Sequence, residues 1–470
     1  MMTTTKTAGF PPQIKYIIGN EGCERFSYYG MRAILTVFMV SHLAMPKNEA
    51  TAVYHLFVSA CYFTPLLGAW ISDRFWGKYK TIMTLSIVYC LGHLVLALFE
   101  TKTGIYFGLG LIALGSGGIK PCVSAHVGDQ FTDKNKELVP KIFDIFYFAI
   151  NFGSFFSTLL TPWVLVKYGP SWAFGIPGIL MAIATVVFWR GHRYYVNVPP
   201  TGKTGKPGFL SILFAAINGK RKKGGDFLSA AEGKYAPDDV EGARAALGIF
   251  KVFATVSVFW ALFDQHGSSW VLQAQQMNLN FLGIKFEASQ ISALNPIMVM
   301  ALIPIFSKGV YPFVESAFGW KMTPLRRMSG GMVIAASSFA AAALIQSAID
   351  AGGVPSIGWQ FIPYLLITVA EIMVSITGLE FAYTQAPRSM KSTIMSFWLL
   401  TVFAGNMLTA YVSDINVFKG AMFFYFFAAL MGAVSLLFIW TAMRYKVRDY
   451  FQDEHMPGEK LGQDLAIAEG

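Results

Sequence analysis

The chain has 470 residues, of which 54% are hydrophobic and only 14% are charged, and its formal net charge is +10. A soluble domain carries about 25% charged residues, so this composition, with a mean hydropathy of +0.48, excludes an ordinary soluble protein and indicates an integral membrane protein. The excess of basic residues is expected to reflect membrane topology, and nucleic-acid binding is not expected.

Twelve apolar segments of membrane-spanning length, about 20 residues each, predict an all-α membrane protein. They lie at 14–43, 51–72, 80–99, 104–128, 139–166, 170–190, 247–270, 288–310, 327–349, 359–384, 391–415 and 419–443. A long polar interval divides them six and six. The predicted domains are therefore an N-terminal six-helix bundle at 1–190, a cytoplasmic basic linker at 191–246, a C-terminal six-helix bundle at 247–443 and a cytoplasmic tail at 444–470.

The interval 191–246 is rich in Gly, Lys and Pro and contains four consecutive basic residues at 220–223. Two structures are compatible with this composition. Residues 209–217 could form a short helix at the membrane interface, or the whole interval could be a disordered basic linker that touches anionic lipid.

The orientation follows from the loops, because Lys and Arg accumulate in short cytoplasmic loops. One alternating set of loops holds only Lys47, Lys102, Lys167, Lys285 and Lys419. The other set is richer, with Arg74, Lys78, Lys80, Lys134, Lys136, Lys321, Arg326, Arg327, Arg388, Lys391 and the basic residues of 444–448. Both termini are therefore predicted on the cytoplasmic side of a multi-pass cell-membrane protein.

The first span is unusual because it carries several charges. At roughly 100° per residue, Glu21, Arg25, Tyr28 and Arg32 fall within about 60° of one another on a helix, with Glu24 beside them. Each charge would cost about 2.5–3.5 kcal/mol on insertion scales if it faced lipid. The stripe is therefore expected to face charged partners or a wet cavity, and it predicts a pathway for a polar solute or a proton.

The loop between the second and third spans carries an ordered set of turn and charged residues. Residues 68–80 read Gly-Ala-Trp-Ile-Ser-Asp-Arg-Phe-Trp-Gly-Lys-Tyr-Lys, which resembles the cytoplasmic loop motif of the major facilitator superfamily. In that motif Asp73 would bond the start of a neighbouring helix and Gly77 would supply a tight turn. The superfamily holds its substrate near the membrane midplane between two six-helix halves.

Further motifs are similar to those of the proton-coupled oligopeptide transporter family, and several segments resemble its animal branch. They are Glu-x-x-Glu-Arg at 21–25, Gly-Ser-Gly-Gly-Ile-Lys-Pro-Cys-Val-Ser-Ala at 115–125, and the motifs at 146–154, 259–265, 294–296 and 377–387. The resemblance implies a major facilitator fold with twelve transmembrane helices. It also implies a symporter that imports di- and tripeptides with protons by alternating access, with the proton as coupling ion and no cofactor.

A di- or tripeptide carries an ammonium and a carboxylate, so its cavity needs opposite charges a few ångströms apart and aromatic pockets for variable side chains. The predicted partners of the carboxylate are Arg25, Arg32 and Lys120. The predicted partner of the ammonium is Glu371, with Ser375 and Thr368 on the same helical face. Supporting amides and pocket walls are assigned to Asn151, Asn295, Tyr28, Tyr29, Tyr62, Tyr147, Trp260, Phe263 and Trp398.

Depth along the spans separates an outer group of charges from an inner group. Arg32 and Asp264 lie at a common depth in the outer half, which predicts that they pair and that Asp264 serves both proton coupling and the cavity. Glu21, Glu24, Arg25 and Lys120 lie toward the inner half. The ammonium of Lys120 is expected to need a nearby anion, which the glutamates of the first span would provide.

His55 lies near the outer pair, and imidazole changes its charge near physiological pH, which suits proton entry. The alternative is a histidine that is simply satisfied at a helix end. The predicted spans hold five acids against three bases, with Glu380 as the fifth acid, so two acids lack a base. An unpaired carboxylate in the membrane favours its protonated form, although static salt bridges that lock helices together would also explain the charges.

Two other classes of function remain open. A carrier of the same family could select nitrate, a drug or another small anion, and a transporter-like receptor could bind peptide without moving it. An enzyme is not expected, because no nucleotide loop, metal cluster or nucleophile triad is visible. The expected partners are peptides, protons and membrane lipid, and the functional unit is expected to be a monomer without a metal.

Overall fold

The computed structural model describes residues 9–132, 135, 138–200, 208–221, 225–385 and 390–445. The first half is built from six long helices. They are α1 (Ile14–Val37), α2 (Lys47–Ile71), α3 (Lys78–Leu98), α4 (Lys102–Asp129), α5 (Val139–Tyr168) and α6 (Pro170–Arg190). Single π-helical turns extend α1 through Phe38–His42 and α2 through Ser72–Trp76.

The second half also has six membrane-spanning units, three of them assembled from shorter helices. Its helices are α8 (Pro237–Phe263), α9 (Ser269–Ala274), α10 (Leu294–Ile305), α11 (Tyr311–Phe318), α12 (Pro324–Asp350), α13 (Phe361–Glu371), α14 (Thr377–Thr384), α15 (Lys391–Ile415) and α16 (Ala421–Arg444). A 3₁₀ turn joins α8 to α9, and π-helical turns join α10 to α11 and α13 to α14. A two-stranded hairpin, β1 (Asn280–Phe281) with β2 (Ile284–Lys285), follows α9.

Two separate apolar cores divide the molecule into two six-helix bundles. One core contains buried residues from Ile14 to Tyr195 and the other contains buried residues from Phe209 to Phe438. Eleven segments of the described chain are long and apolar enough to cross a membrane. The twelfth is α1, which is of spanning length but carries Glu21, Glu24, Arg25 and Arg32. The fold of twelve transmembrane helices in two bundles agrees with the prediction.

The described parts of the polar interval between the bundles contain helices. Of the two alternatives for its apolar segment, the structure has the helix, α7 (Phe209–Asn218), whose Phe209, Ile212 and Ala216 are buried against the C-terminal core. The helix α8 begins at Pro237, ten residues before the predicted start of the seventh span, because its first turns are polar and lie outside the apolar segment. The interval 191–246 is therefore partly helical.

We call the end at which α1 begins and α16 ends the inner side and the opposite end the outer side. The loop motif of residues 68–80 lies on the inner side. Gly77 has φ +73°, a left-handed conformation that favours glycine, and its turn leads directly into α3. Lys78 Nζ lies 2.7 Å from Asp129 Oδ2 at the end of α4, so a basic residue of the motif ties two helices together.

Glycines allow α4 to approach α2 and α3 closely. A Cβ placed on Gly117 would overlap the Thr64 side chain of α2, and one placed on Gly118 would overlap Leu85 of α3. Thr64 Oγ1 donates a hydrogen bond of 2.7 Å to the Ala113 carbonyl across the same contact. Small residues at such contacts stabilise membrane helix pairs, because the backbones can pack directly. Gly117 and Gly118 therefore serve the close packing of α4 against α2 and α3.

We predict that Gly117→Ala lowers the thermal unfolding temperature of the purified protein. The added methyl group overpacks the contact between α2 and α4, which typically lowers the free energy of unfolding by about 1–3 kcal/mol. This loss exceeds the roughly 1 kcal/mol that the higher helix propensity of alanine contributes. Gly110→Ala on the same helix is the matched control, because nothing lies within 4 Å of its added Cβ. Equal unfolding temperatures for the two variants would contradict the packing argument.

The two bundles are hydrogen-bonded to each other toward the outer side. Thr36 Oγ1 donates to the Gly267 carbonyl at 3.4 Å, Ser59 Oγ donates to the Phe403 carbonyl at 2.9 Å, and Gln290 Nε2 donates to the Leu159 carbonyl at 2.8 Å. The first and third of these bonds lie toward the outer ends of the bundles, and the Ser59 bond lies midway along α2 and α15. The described structure is therefore closed on its outer side.

Candidate functional site

A hydrogen-bonded group of polar side chains crosses the boundary between the bundles near the outer side. Arg32 of α1 forms an ion pair with Asp264, directly after α8, and its Nε donates to the Tyr54 hydroxyl at 2.5 Å. Asn406 of α15 donates from Nδ2 to Asp264 Oδ2 at 2.7 Å. The pairing of Arg32 with Asp264 that helix depth predicts is present. We call this group, completed by His55 and Ser268, the outer cluster.

His55 is fully buried in the outer cluster, and both of its ring nitrogens are hydrogen-bonded. Nδ1 lies 2.7 Å from Asn406 Oδ1, which can only accept, so Nδ1 carries a proton. Nε2 lies 2.8 Å from Ser268 Oγ, a hydroxyl that can either donate or accept. The geometry therefore accommodates both a neutral and a protonated imidazole, while Asn406 links the ring to Asp264.

Three of the four predicted inner charges, Glu21, Glu24 and Arg25, lie close together on α1. Arg25 Nε lies 2.6 Å from Glu21 Oε1 and 3.2 Å from Glu24 Oε2. Glu24 is fully buried, and neither of its carboxylate oxygens makes a hydrogen bond in the described structure, since its contact with Arg25 has the distance but not the angle of one. Glu24 is therefore a buried carboxylate with unused hydrogen-bonding capacity.

Lys120 lies near Glu24 of the first span but makes no direct ion pair with it. Its Nζ lies 4.5 Å from the ring centre of Tyr28 and 4.8 Å from that of Tyr62, and among the described residues it makes no ion pair within 4 Å. Two aromatic faces, whose negative quadrupoles attract the ammonium, take the place of a direct ion pair. Glu24 and Arg25 remain within electrostatic range. Lys120 therefore retains capacity for an anion from outside the chain.

The C-terminal half places one acid opposite these basic groups. Glu371, the last residue of α13, accepts a hydrogen bond from Asn295 Nδ2 at 2.7 Å, and the same amide lies 3.2 Å from Thr368 Oγ1. The phenol of Tyr29 lies within electrostatic range of Arg25 and Arg32 on its own helix and of Glu371 across the boundary. Tyr29 is therefore near both predicted basic residues of α1 and the predicted acid Glu371.

Aromatic side chains adjoin this arrangement on the C-terminal side. The rings of Trp260 and Trp398 meet edge to face with centres 5.9 Å apart, and Phe263 packs on Trp260 at 5.5 Å. The indole nitrogen of Trp260 is buried and has no hydrogen-bond partner in the described structure. Tyr62 of α2 packs against both apolar cores, so it spans the boundary between the bundles.

Four predicted residues are placed differently or less completely. Ser375 is buried in the π-helical turn Ile372–Ile376, whose wider turn alters the spacing that predicted a shared face with Glu371. Glu380 is half-exposed and lies 3.7 Å from Arg327, so it is not a buried acid without a base. Asn151 is half-buried in α5 and has an interaction. The side chain of Tyr147 lies outside the described part of the structure.

Sequence reasoning missed three members of the outer cluster: Tyr54, Ser268 and Asn406. The signal for Asn406 was available, since it is the lone amide in an otherwise apolar stretch of α15. Tyr54 directly precedes His55, and Ser268 closely follows Asp264 in the sequence. Neighbours of a buried charge are good candidates for completing its hydrogen bonds.

Comparison with known proteins identifies the family of this chain. The pattern described as "PTR2: POT family" matches residues 79–420, which is well over half of the chain. The chain belongs to the POT family. Members of the POT family are transporters and not enzymes, which agrees with the predicted class of protein.

Among relatives of this POT family member, solute carrier family 15 member 2 of Danio rerio is 42% identical over 358 residues, covering 72% of this chain and 50% of that protein. The chain thus spans about half the length of the curated relatives it matches. A crystal structure of an auto-inhibited POT family peptide transporter has a TM-score of 0.86 at 40% identity, covering 94% of this chain and 99% of the other. A proton-dependent oligopeptide (POT) family transporter has a TM-score of 0.75 at 42% identity, covering 90% and 100%.

Proposed function

We propose that this POT family protein is a proton-coupled symporter that imports di- and tripeptides by alternating access. The observation that carries the proposal is the opposition of charges across the boundary between the bundles. Arg25, Arg32 and Lys120 lie on one side and Glu371 with Asn295 lies on the other. This layout suits a ligand with a carboxylate at one end and an ammonium at the other.

The outer cluster would control access from the outside. While Arg32 is paired with Asp264 and His55 is bonded across the boundary, the outer ends of the bundles are held together. Protonation in this cluster would weaken the pairing and let the bundles separate there. We propose His55 as the entry point because its hydrogen bonds fit both of its charge states.

The inner charges would couple proton to peptide. Glu24 has buried oxygens without hydrogen bonds, so it can hold a proton, and Arg25 would then be less tightly held by its glutamates. Arg25 and Lys120 would bind the peptide carboxylate in that state. Release of proton and peptide to the inside would restore the ion pairs and reset the cycle.

We further propose that the protein acts as a monomer in the cell membrane with both termini cytoplasmic, in contact with lipid, and with the proton as its coupling ion and no cofactor. Among the described residues, Arg74, Lys78, Lys321 and Arg326 lie at the inner ends of the helices, which supports this orientation. Selection of nitrate or another small anion is less well supported, because such an ion would leave Glu371 without a cationic partner.

Purified protein in liposomes tests the proposal. An inward pH gradient should drive accumulation of intact dialanine and trialanine, with proton influx that depends on added peptide. Free alanine and nitrate serve as competing substrates. Peptide binding without accumulation would support a receptor, uptake of nitrate alone would support the anion carrier, and either result would overturn the proposed function.

We predict that Glu371→Gln weakens the binding of free peptides much more than that of N-acetylated peptides. The substitution keeps the shape of the side chain but removes the charge that would face the ammonium, and a hydrogen bond to a charged group contributes about 1.5–3 kcal/mol. The expected loss is therefore at least about tenfold in affinity for trialanine, measured by calorimetry. Glu315→Gln, at an exposed inner-side acid of α11, is the control. Equal losses for both ligands would contradict the assignment.

A further inference from the structure

A cavity lies at the outer end of the molecule, on the boundary between the bundles. Its volume is about 420 Å³, and small-molecule sites typically measure about 300–1,000 Å³. The N-terminal bundle contributes the start of α2, with Lys47, Asn48 and Thr51. The C-terminal bundle contributes residues of α9, α12, α15 and α16 and the loop that contains Lys419. None of these residues belongs to the outer cluster.

The charges that line this outer cavity favour an anion. Lys47 and Lys419 are exposed, and neither makes an ion pair within 4 Å with a residue that the structure describes. The acid among the described lining residues is Asp350, whose Oδ1 accepts from Gln346 Nε2 at 2.9 Å and whose Oδ2 accepts from the Ala421 amide at 2.7 Å. Two free cations thus face one acid that is already hydrogen-bonded.

A buried hydroxyl in the same lining lacks a partner. Ser413 is only 3% exposed, and its Oγ has no hydrogen bond in the described structure. A buried polar group of this kind is uncommon and points to a ligand or water at that position. Phe423 and Phe424 supply an apolar wall nearby. The lining therefore combines free ammonium groups, an unpaired hydroxyl and aromatic rings.

We propose that the outer cavity binds a carboxylate-bearing solute of the size of a short peptide, and that the bound solute holds the outer ends of the bundles together. Both bundles contribute lining residues, so the complete cavity exists only while the outer side is closed. A ligand that prefers the closed arrangement shifts the population toward it. Occupancy at high outside concentration would slow the transport cycle. This last consequence rests on the proposed function.

Binding of trialanine to protein in nanodiscs tests the site directly. Wild-type protein should show two classes of site, and Lys47→Gln with Lys419→Gln should weaken the weaker class at least about tenfold. Lys285→Gln, an exposed lysine of β2 on the same side and outside the cavity, should leave both classes unchanged. Trialanine amide, which lacks the carboxylate, should bind poorly to the weaker class of site. Identical titrations for wild type and the double variant would overturn the proposal.

Uptake into liposomes tests the consequence for transport. The rate for wild type should rise and then fall as outside trialanine increases, whereas the rate for the double variant should reach a plateau. A wild-type rate that saturates without falling would overturn the inhibitory role. If no form of the protein moves trialanine, the proposed transport function fails, while the lysine-dependent binding measured in nanodiscs still decides whether the outer site exists.

Discussion

Asp264→Asn is expected to abolish most of the proton-driven accumulation of peptide while exchange of peptide across the membrane continues. The substitution leaves Arg32 buried without its counter-ion, although the amide can still receive part of the hydrogen bonding from Asn406. Removing one partner of a buried ion pair typically costs about 3–5 kcal/mol. Most of that cost should appear as weaker closure of the outer side, because the pair joins the two bundles there.

Two measurements separate coupling from folding in this variant. Accumulation under a pH gradient should fall at least about a hundredfold, whereas counterflow of labelled peptide without a gradient should stay within about threefold of wild type. The double variant Arg32→Gln with Asp264→Asn removes both charges, so it should regain outer closure, measured by distances between spin labels, without regaining accumulation. Accumulation at the wild-type level in Asp264→Asn would contradict the role given to the outer cluster.

The sequence predicted contacts well where position along a helix is enough to decide them. Arg32 and Asp264 lie in spans of nearly fixed rise per residue, so counting residues from the membrane edge places them at one depth. Opposite charges at the same depth in a membrane are expected to pair, because an unpaired charge there is energetically costly. The twelve-helix fold was predictable for the same reason, because spanning length and apolar composition depend on local sequence alone.

Contacts that depend on helix rotation or backbone irregularity were not predictable in this way. Lys120 meets Tyr28 and Tyr62 because of how α1, α2 and α4 are turned toward one another. The π-helical turn after Glu371 changes the spacing of Ser375, and nothing in that stretch of sequence marks the extra backbone turn. Asn406 was missed because polar uncharged residues in spans often bond only their own helix, as its second bond to the Val402 carbonyl illustrates.

The two bundles carry different sets of charged residues, and the two acids of the C-terminal bundle are held in different ways. The N-terminal bundle carries Glu21, Glu24, Arg25, Arg32 and Lys120. The C-terminal bundle carries the acids Asp264 and Glu371. One of these acids is paired across the boundary and the other is held by an amide of its own bundle. An ion pair between the bundles responds when the bundles rock against each other. An acid held by an amide of its own bundle keeps its position in that bundle, where a ligand can bind to it.

Glu24→Gln and Lys120→Ala are each expected to abolish pH-gradient-driven uptake without loss of folded protein. Glutamine has nearly the shape of glutamate but cannot carry a proton on and off, and the carboxylate it replaces makes no hydrogen bond in the described structure, so folding should be little affected. Lys120→Ala removes the cation that faces Tyr28 and Tyr62 and would receive the peptide carboxylate.

Lys120→Arg is the matched control, since it keeps the charge beside the rings and should retain part of the uptake, and Glu21→Gln tests whether the acid bonded to Arg25 can substitute for Glu24. Each variant is measured for uptake in liposomes and for thermal unfolding. Folded Glu24→Gln or Lys120→Ala that still concentrates peptide would refute coupling through the inner charges. Unfolding of both variants would instead indicate that these charges lock helices together, because a buried charge left without its partner destabilises the bundle that contains it.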